Sequence, residues 1–338
     1  MTSYISSFRP VLIALAAVAL VECLLPRNTT IYANPFFEVR YLRDEDVTDG
    51  CVAAKLRMYR NQHITFLQVG DSSGLTGVKP DVVMRHLPQG VSYVSGGCHA
   101  SLSYYGYRYM AEVYLRQNKV DYLVLSVNPM ALESSRPIDK FEGIAPKVYT
   151  AYLSPWRYFY QLPSISWRYN VLNYIYYGQW DIPAKSDKGF YDIEAEQNHY
   201  AETFGWDNFL DAHKKMDVPQ TMSSCPFQSL YTNGDMVYGK PILASHLEAL
   251  REVAESQGAK LIILFNPVRC HASVDTQAVQ DQVDNFLRSH PDVYAPFPMI
   301  NVLLDSKDMG DYVHPIESGA IIYSNEIGRK LSELLRNK

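Results

Sequence analysis

The stretch His63 to Pro80, HITFLQVGDSSGLTGVKP, decides how the rest of the chain is read. Ile64, Phe66, Leu67 and Val69 form an apolar run of strand length, and Gly70-Asp71-Ser72-Ser73-Gly74 ends it abruptly. A buried strand that stops in a small, polar, glycine-flanked turn sets a hydroxyl at the carboxyl edge of a sheet. Open α/β sheets place their ligands at that edge. Near the other end, Asp311-Tyr312-Val313-His314 lies just ahead of the closing helical pattern. A serine after an early strand and an Asp-x-x-His before the last helix supply nucleophile, base and orienting acid in one chain.

Outward from this stretch the pattern is strand, turn, helix, strand. Pro80 opens a short helix through Val82, Val83, Met84 and Leu87. A strand is expected over 91–94, a helix over 102–117, and a continuous apolar strand over 122–127. After a long interruption the rhythm returns. It gives an amphipathic helix over 241–257 closed by Gly258, a strand over 261–265, a helix through Val279, Val283, Phe286 and Leu287, a last strand over 299–304, and a closing helix from Ala320 to Leu334. Strands alternating with helices at this spacing predict an α/β fold, a three-layer sandwich on a mostly parallel sheet.

The interruption, about residues 131–236, contains all four tryptophans and many tyrosines of the 26 in the chain. It reads as an insertion laid across the functional edge of the sheet. Trp156 and Trp167 are candidates for contact with sugar rings or acyl chains, because aromatic side chains combine broad apolar faces with polar tips. Packing of the insertion's own small core, or a membrane-facing surface, fits the same composition.

Pro10 to Pro26, PVLIALAAVALVECLLP, is apolar and bounded by Arg9 and Arg27. It reaches the lower end of the about 17–25 residues that a spanning helix needs. The Ala-x-Ala candidates for cleavage lie inside the run, too early to serve, so residues 1–27 read as an uncleaved anchor. Residues 28–60 then form a stalk and lead-in, and 61–338 the α/β domain with its insertion. Hydrophobic residues make up 47% and charged residues 20% of the chain, which is globular composition. A net charge of −5 leaves no basic footprint for nucleic acid. Cys51, Cys98, Cys225 and Cys270 show no metal-ligand spacing. They are compatible with buried thiols or with one or two disulfides in any of three pairings. No phosphate-cradling loop, dinucleotide fingerprint or paired histidine spacing occurs, so neither a metal nor a cofactor is expected.

Gly70-Asp71-Ser72 and Asp311-x-x-His314 resemble the first and last blocks of the SGNH/GDSL hydrolase superfamily. The wider phrases GDSSGLTGVKP and DYVHPIESGA resemble its membrane-anchored bacterial branch, near the alginate-type O-acetylation proteins and the D-alanyl lipoteichoic acid transfer proteins. The resemblance covers mainly residues 60–130 and 240–338. It implies a flavodoxin-like domain on the extracytoplasmic side of a membrane, with Ser72 as nucleophile, His314 as base and Asp311 orienting the base. It also implies an oxyanion hole from the Ser72 amide, a Gly97 amide (or that of Gly96) after the second strand, and the Asn128 side chain after the third. The family's usual Gly-x-Asn-Asp is replaced here by Ser126-Val127-Asn128-Pro129, so Asn128 matches by strand position, and an Asn-Pro turn starter fits it as well. Ser73 is the fallback nucleophile. Asp71, Ser73 and His99 are candidates for the pocket lining, with Asp71 also expected to fix the turn. The implied activity is acyl-ester chemistry on an exported polysaccharide, as an O-acetyltransferase or its accessory served by a membrane-bound O-acyltransferase. A carbohydrate esterase or lipase-like hydrolase, and a non-catalytic polysaccharide-binding assembly protein, are the alternatives.

Overall fold

The computed structural model describes residues 41–43, 58–98, 103–127, 190–208, 242–267, 274–297, 304–311 and 313–337, together with residues 13, 51, 54 and 55. In chain order the strands are β1 (Tyr41–Arg43), β2 (His63–Gly70), β3 (Tyr93–Ser95), β4 (Lys119–Val127), β5 (Phe190–Asp192) and β6 (Lys260–Phe265). The helices are α1 (Ser72–Gly77), α2 (Pro80–Met84), α3 (Ser103–Gln117), α4 (Ile193–Thr203), α5 (Ile242–Ser256), α6 (Val274–Ser289) and α7 (Glu317–Arg336). The chain divides into two compact units, 1–53 with 146–196 and 54–145 with 197–338. In the first, β1 and β5 pair antiparallel, Tyr41 opposite Asp192 and Arg43 opposite Phe190.

The second unit is an α/β domain on a four-stranded sheet in the order β3-β2-β4-β6, with every pair parallel. Parallel strands need helical crossovers, and these cover both faces of the sheet, so the strands read as near-continuous apolar runs. Phe66, Tyr122, Val124, Ile262 and Leu264 share one core with Val83 of α2 and with Tyr323, Ile327 and Leu331 of α7. The alternate residues Leu67, Val69, Leu123, Leu125, Leu261 and Ile263 point to the opposite face and are equally buried. The rings of Phe66 and Tyr122 stack with centroids 4.9 Å apart across β2 and β4.

From β2 the chain goes to β3 on one side and then crosses to β4 on the other. The strand order therefore reverses beside β2, which opens a crevice at the carboxyl ends of β2 and β4. Gly70 and Ser126 are partners in register there. Ser72 follows two residues later.

The expected elements over 64–69, 122–127, 241–257 and 261–265 are present within a few residues of their predicted bounds, and Gly258 has the left-handed φ of +77° that ends α5. The strand expected over 91–94 is shifted to Tyr93–Ser95. Of the strand expected over 299–304, residues 299–303 lie outside the described residues. Beside β6, Tyr294 forms a single parallel bridge with Ile262. No helix among the described residues is long and apolar enough to cross a membrane, and the anchor expected over residues 1–27 lies outside them apart from Ile13.

Candidate active site

The Ser72 turn is built by close approach. Gly70 has φ +149°, and a Cβ there would lie 1.8 Å from the Ser126 carbonyl oxygen, so only glycine fits. A Cβ on Gly74 would lie 2.7 Å from Ser126 Oγ. Between the two glycines, Asp71 caps α1: its Oδ1 accepts from Ser73 N (2.9 Å), Gly74 N (3.2 Å) and Ser73 Oγ (2.5 Å). The cap consumes the amides of residues 73 and 74. The Ser72 amide and hydroxyl are left for other work, and Ser72 is 7% exposed.

His314 is presented by an equally local device. Met309 and Pro315 bridge antiparallel, Gly310 N donates to His314 O (2.8 Å) and Ile316 N donates to Asp308 O (3.0 Å). Within this narrow loop, Asp311 Oδ1 accepts from the amides of Val313 and His314, both at 2.8 Å. Its other oxygen, Oδ2, lies 2.7 Å from His314 Nδ1. The i, i+3 spacing thus folds the carboxylate back on the imidazole. A Cβ on Gly319 would lie 2.2 Å from Asp308 O, so the first turn of α7 sits directly on the loop.

The two devices meet across 242 residues of sequence. His314 Nε2 lies 2.8 Å from Ser72 Oγ. With the Nδ1 proton donated to Asp311, Nε2 accepts from the Ser72 hydroxyl, which is the tautomer a general base requires. Contacts between α1–α2 and α7 hold this approach. Lys79 N donates to Ser324 Oγ (2.7 Å), Lys79 Nζ pairs with Glu317 (2.5 Å), and Gly77 packs on Pro315. Burial raises the Asp311 pKa, but the hydrogen bond and charge of His314 and the two backbone amides outweigh it, so the net shift is downward. Asp311 is thereby kept ionised beside the ring.

Of the residues expected at the site, Ser72, His314 and Asp311 are brought into one hydrogen-bonded chain. Gly97 is buried against the same turn: a Cβ on it would lie 3.6 Å from Gly70 O. The amides of Ser72 and Gly97 donate to no other group among the described residues. Asp71 and Ser73, expected in the pocket lining, form the cap of α1. They are 2% and 1% exposed, and Asp71 Oδ1 and the Ser73 amide and hydroxyl are engaged in the cap. The hydroxyl of Ser73, the fallback nucleophile of the sequence reading, donates to Asp71. His99, Asn128, Trp156 and Trp167 lie outside the described residues.

Two contributors were missed. Asn266, fully buried at the end of β6, lies 2.8 Å from both Ser73 Oγ and Ser126 Oγ. In the amide orientation that matches donors to acceptors, its oxygen also accepts from Gly74 N (3.0 Å) and Val127 N (3.1 Å). It ties the Ser72 turn to the neighbouring strands. The available signal was Asn266-Pro267 after an apolar strand, which reads equally as an ordinary turn. Trp206, inside the aromatic stretch, donates from Nε1 to Thr76 O (2.9 Å) and lies under Lys79 Nζ at 4.4 Å. It therefore packs on the helix that carries Ser72. Among the described residues no group of three or more His, Cys, Asp or Glu side chains could hold a metal ion.

No family model matches the chain, and no curated protein matches it either. The geometry itself therefore carries the functional reading.

Proposed function

We propose that this protein is a serine acyl-ester enzyme that forms an acyl-enzyme at Ser72. The observation that carries the proposal is the unbroken chain Ser72 Oγ–His314 Nε2 (2.8 Å) and His314 Nδ1–Asp311 Oδ2 (2.7 Å) at the carboxyl edge of a parallel sheet. Ser72 Oγ attacks the ester carbonyl carbon while His314 Nε2 takes the hydroxyl proton, and Asp311 stabilises the imidazolium. The carbonyl oxygen becomes an oxyanion, received by the Ser72 and Gly97 amides. The carbon–oxygen bond to the leaving group breaks, and His314 returns its proton to that alkoxide. The acyl group then sits on Ser72 until an incoming hydroxyl, deprotonated by His314, attacks its carbonyl carbon; the bond to Ser72 Oγ breaks and His314 returns the proton to Ser72.

The incoming hydroxyl decides the class. We favour a sugar hydroxyl, and hence an O-acetyltransferase or its accessory acting on an extracytoplasmic polysaccharide. The phrases GDSSGLTGVKP and DYVHPIESGA support this, as does the helix-covered parallel sheet, which agrees with a three-layer SGNH-type sandwich. Supply of the acyl group by a membrane-bound O-acyltransferase belongs to the same proposal, and so does anchoring through residues 1–27. Cys51 and Cys98 are disulfide-bonded, which supports an oxidising compartment.

The test uses the full chain in detergent with 4-nitrophenyl acetate, with and without oligosaccharide acceptors. Ser72→Ala and His314→Ala should each lose at least about 10³-fold in kcat, and Asp311→Asn about 10⁴-fold through the wrong tautomer. Acetylated acceptor in the product marks a transferase, whereas acetate alone marks a hydrolase. Equal rates in wild type and Ser72→Ala would remove catalysis from this site and favour a polysaccharide-binding role.

A further inference from the structure

Lys55 is completely buried, which is uncommon for lysine because its head group is costly to desolvate. Its Nζ donates to two carbonyl oxygens, Gly97 O at 2.5 Å and Gly205 O at 2.6 Å, and lies 4.5 Å from the centroid of the Tyr200 ring. Both carbonyls belong to segments pressed against the carboxyl end of the sheet. Gly205 has φ +85°, and a Cβ there would lie 2.0 Å from Ser95 O. Next to it, Phe204 O accepts from Ser95 N (2.9 Å). Gly97 packs over Gly70, at the root of the Ser72 turn.

The peptide planes around Gly97 are held on both sides. Gly96 N donates to Gln68 O (2.8 Å). Gly96 O accepts from Tyr114 Oη (3.4 Å), and a Cβ on Gly96 would lie 2.8 Å from the Tyr114 ring. The Gly96 carbonyl and the Gly97 N–H share one rigid plane and point in opposite directions. The bond from Tyr114 therefore aims the Gly97 N–H away from that ring. Lys55 holds the following plane through Gly97 O. An amide gripped this way keeps its direction when charge develops in front of it, which is what an oxyanion donor requires.

We propose that Lys55 is a positioning residue of the oxyanion site, clamping the 96–97 strap to the 204–205 loop so that the Gly97 amide faces the reacting carbonyl. This rests on the reading of Ser72 as an acyl-transfer nucleophile. The Lys55 head group contacts the carbonyl oxygens of Gly97 and Gly205. Its effect passes through Gly97, and Tyr114 supplies the companion hold on the preceding plane.

The test compares full-length wild type, Lys55→Met, Tyr114→Phe and Ser72→Ala in detergent. The measurements are kcat and KM for 4-nitrophenyl acetate, the inhibition constant of a phenylboronic acid, and Tm. The boronic acid forms a tetrahedral anion on Ser72 Oγ and so reports the oxyanion site directly. Removing a donor outright costs about 10²–10³ in kcat, so Lys55→Met is expected to lose about 10- to 100-fold and Tyr114→Phe about 3- to 10-fold. KM should stay within about twofold, and boronate affinity should fall in step with kcat. A purely structural lysine would lower Tm and leave kcat and boronate affinity unchanged in the folded fraction, which overturns the proposal. If Lys55→Met does not fold, Tyr114→Phe decides: wild-type kcat and boronate affinity in that variant also overturn it. Ser72→Ala separates the two levels. If it hydrolyses ester at the wild-type rate, the acyl-enzyme reading falls and this inference with it. If it is inert while the other variants keep full activity, only the role of Lys55 is lost.

Discussion

Gly70 is the residue on which the Ser72 turn depends. Its φ of +149° and the Ser126 carbonyl 1.8 Å from a hypothetical Cβ leave no room for any side chain. Gly70→Ala must either force β2 and β4 apart at Gly70–Ser126 or abandon the turn. The expected outcome is a destabilisation beyond about 4 kcal/mol, at the extreme of single substitutions, seen as lost soluble yield or a collapsed urea midpoint. Gly90, also at positive φ (+86°), has open space around it, so Gly90→Ala carries only the backbone strain of about 1–2 kcal/mol. Equal effects at the two positions would contradict the close-approach reading. That Gly70 matters was legible from the sequence. Its reason was not, because the obstructing atom is 56 residues away on another strand.

At the scale of elements, β4 is the centre of the sheet, flanked by β2 and β6, with Val120 and the run Tyr122 to Val127 buried. Leu123→Ala should cost about 2–5 kcal/mol, read from the denaturant midpoint, because both faces are packed and the cavity cannot drain to solvent. Asn266 joins the ends of β4 and β6 to the start of α1 through Ser126, Ser73 and Gly74. Asn266→Leu strands the polar groups that face it and should cost about 1–3 kcal/mol. It should also lower kcat with little change in Tm beyond that loss, since the Ser72 turn loses its brace. A variant with full kcat would show that the cap of Asp71 suffices by itself. Strand positions follow from continuous apolar runs and were readable within a few residues. The brace was not, since a buried Asn and a turn Asn look alike before their neighbours are known.

At the scale of the whole molecule, His246 and Asp311 are among the described groups that link stability to pH. His246 on α5 is held below its ordinary pKa, first by burial and then by the charge of Arg108 on α3. Its folded form stays neutral while the unfolded chain takes up a proton, so its contribution is present above about pH 6.5 and is lost on acidification. Asp311 is depressed below the ordinary carboxylate value, so its contribution persists above that range and disappears only as pH falls through its lower folded pKa. Urea midpoints should therefore fall in two steps, one beginning near pH 6.5 and one in the acid range. His246→Leu should flatten the first step and leave the second. A midpoint unchanged between pH 8 and pH 5 in wild type would contradict the His246 assignment.

By itself, the sequence determined the alternation of strands and helices, the turn after β2 and the local folding of Asp311 onto His314. All three are set by near neighbours through apolar periodicity, glycine placement and an i, i+3 carboxylate. Only the tertiary structure decided that Ser72 and His314 stand 2.8 Å apart, that Asp71 and Ser73 serve the cap, that Lys55 and Tyr114 hold the 96–97 strap, and that Asn266 braces the turn. Those relations join residues far apart in the chain. Their side chains have no shared pattern until the parallel sheet, by its strand order, brings their elements to one edge.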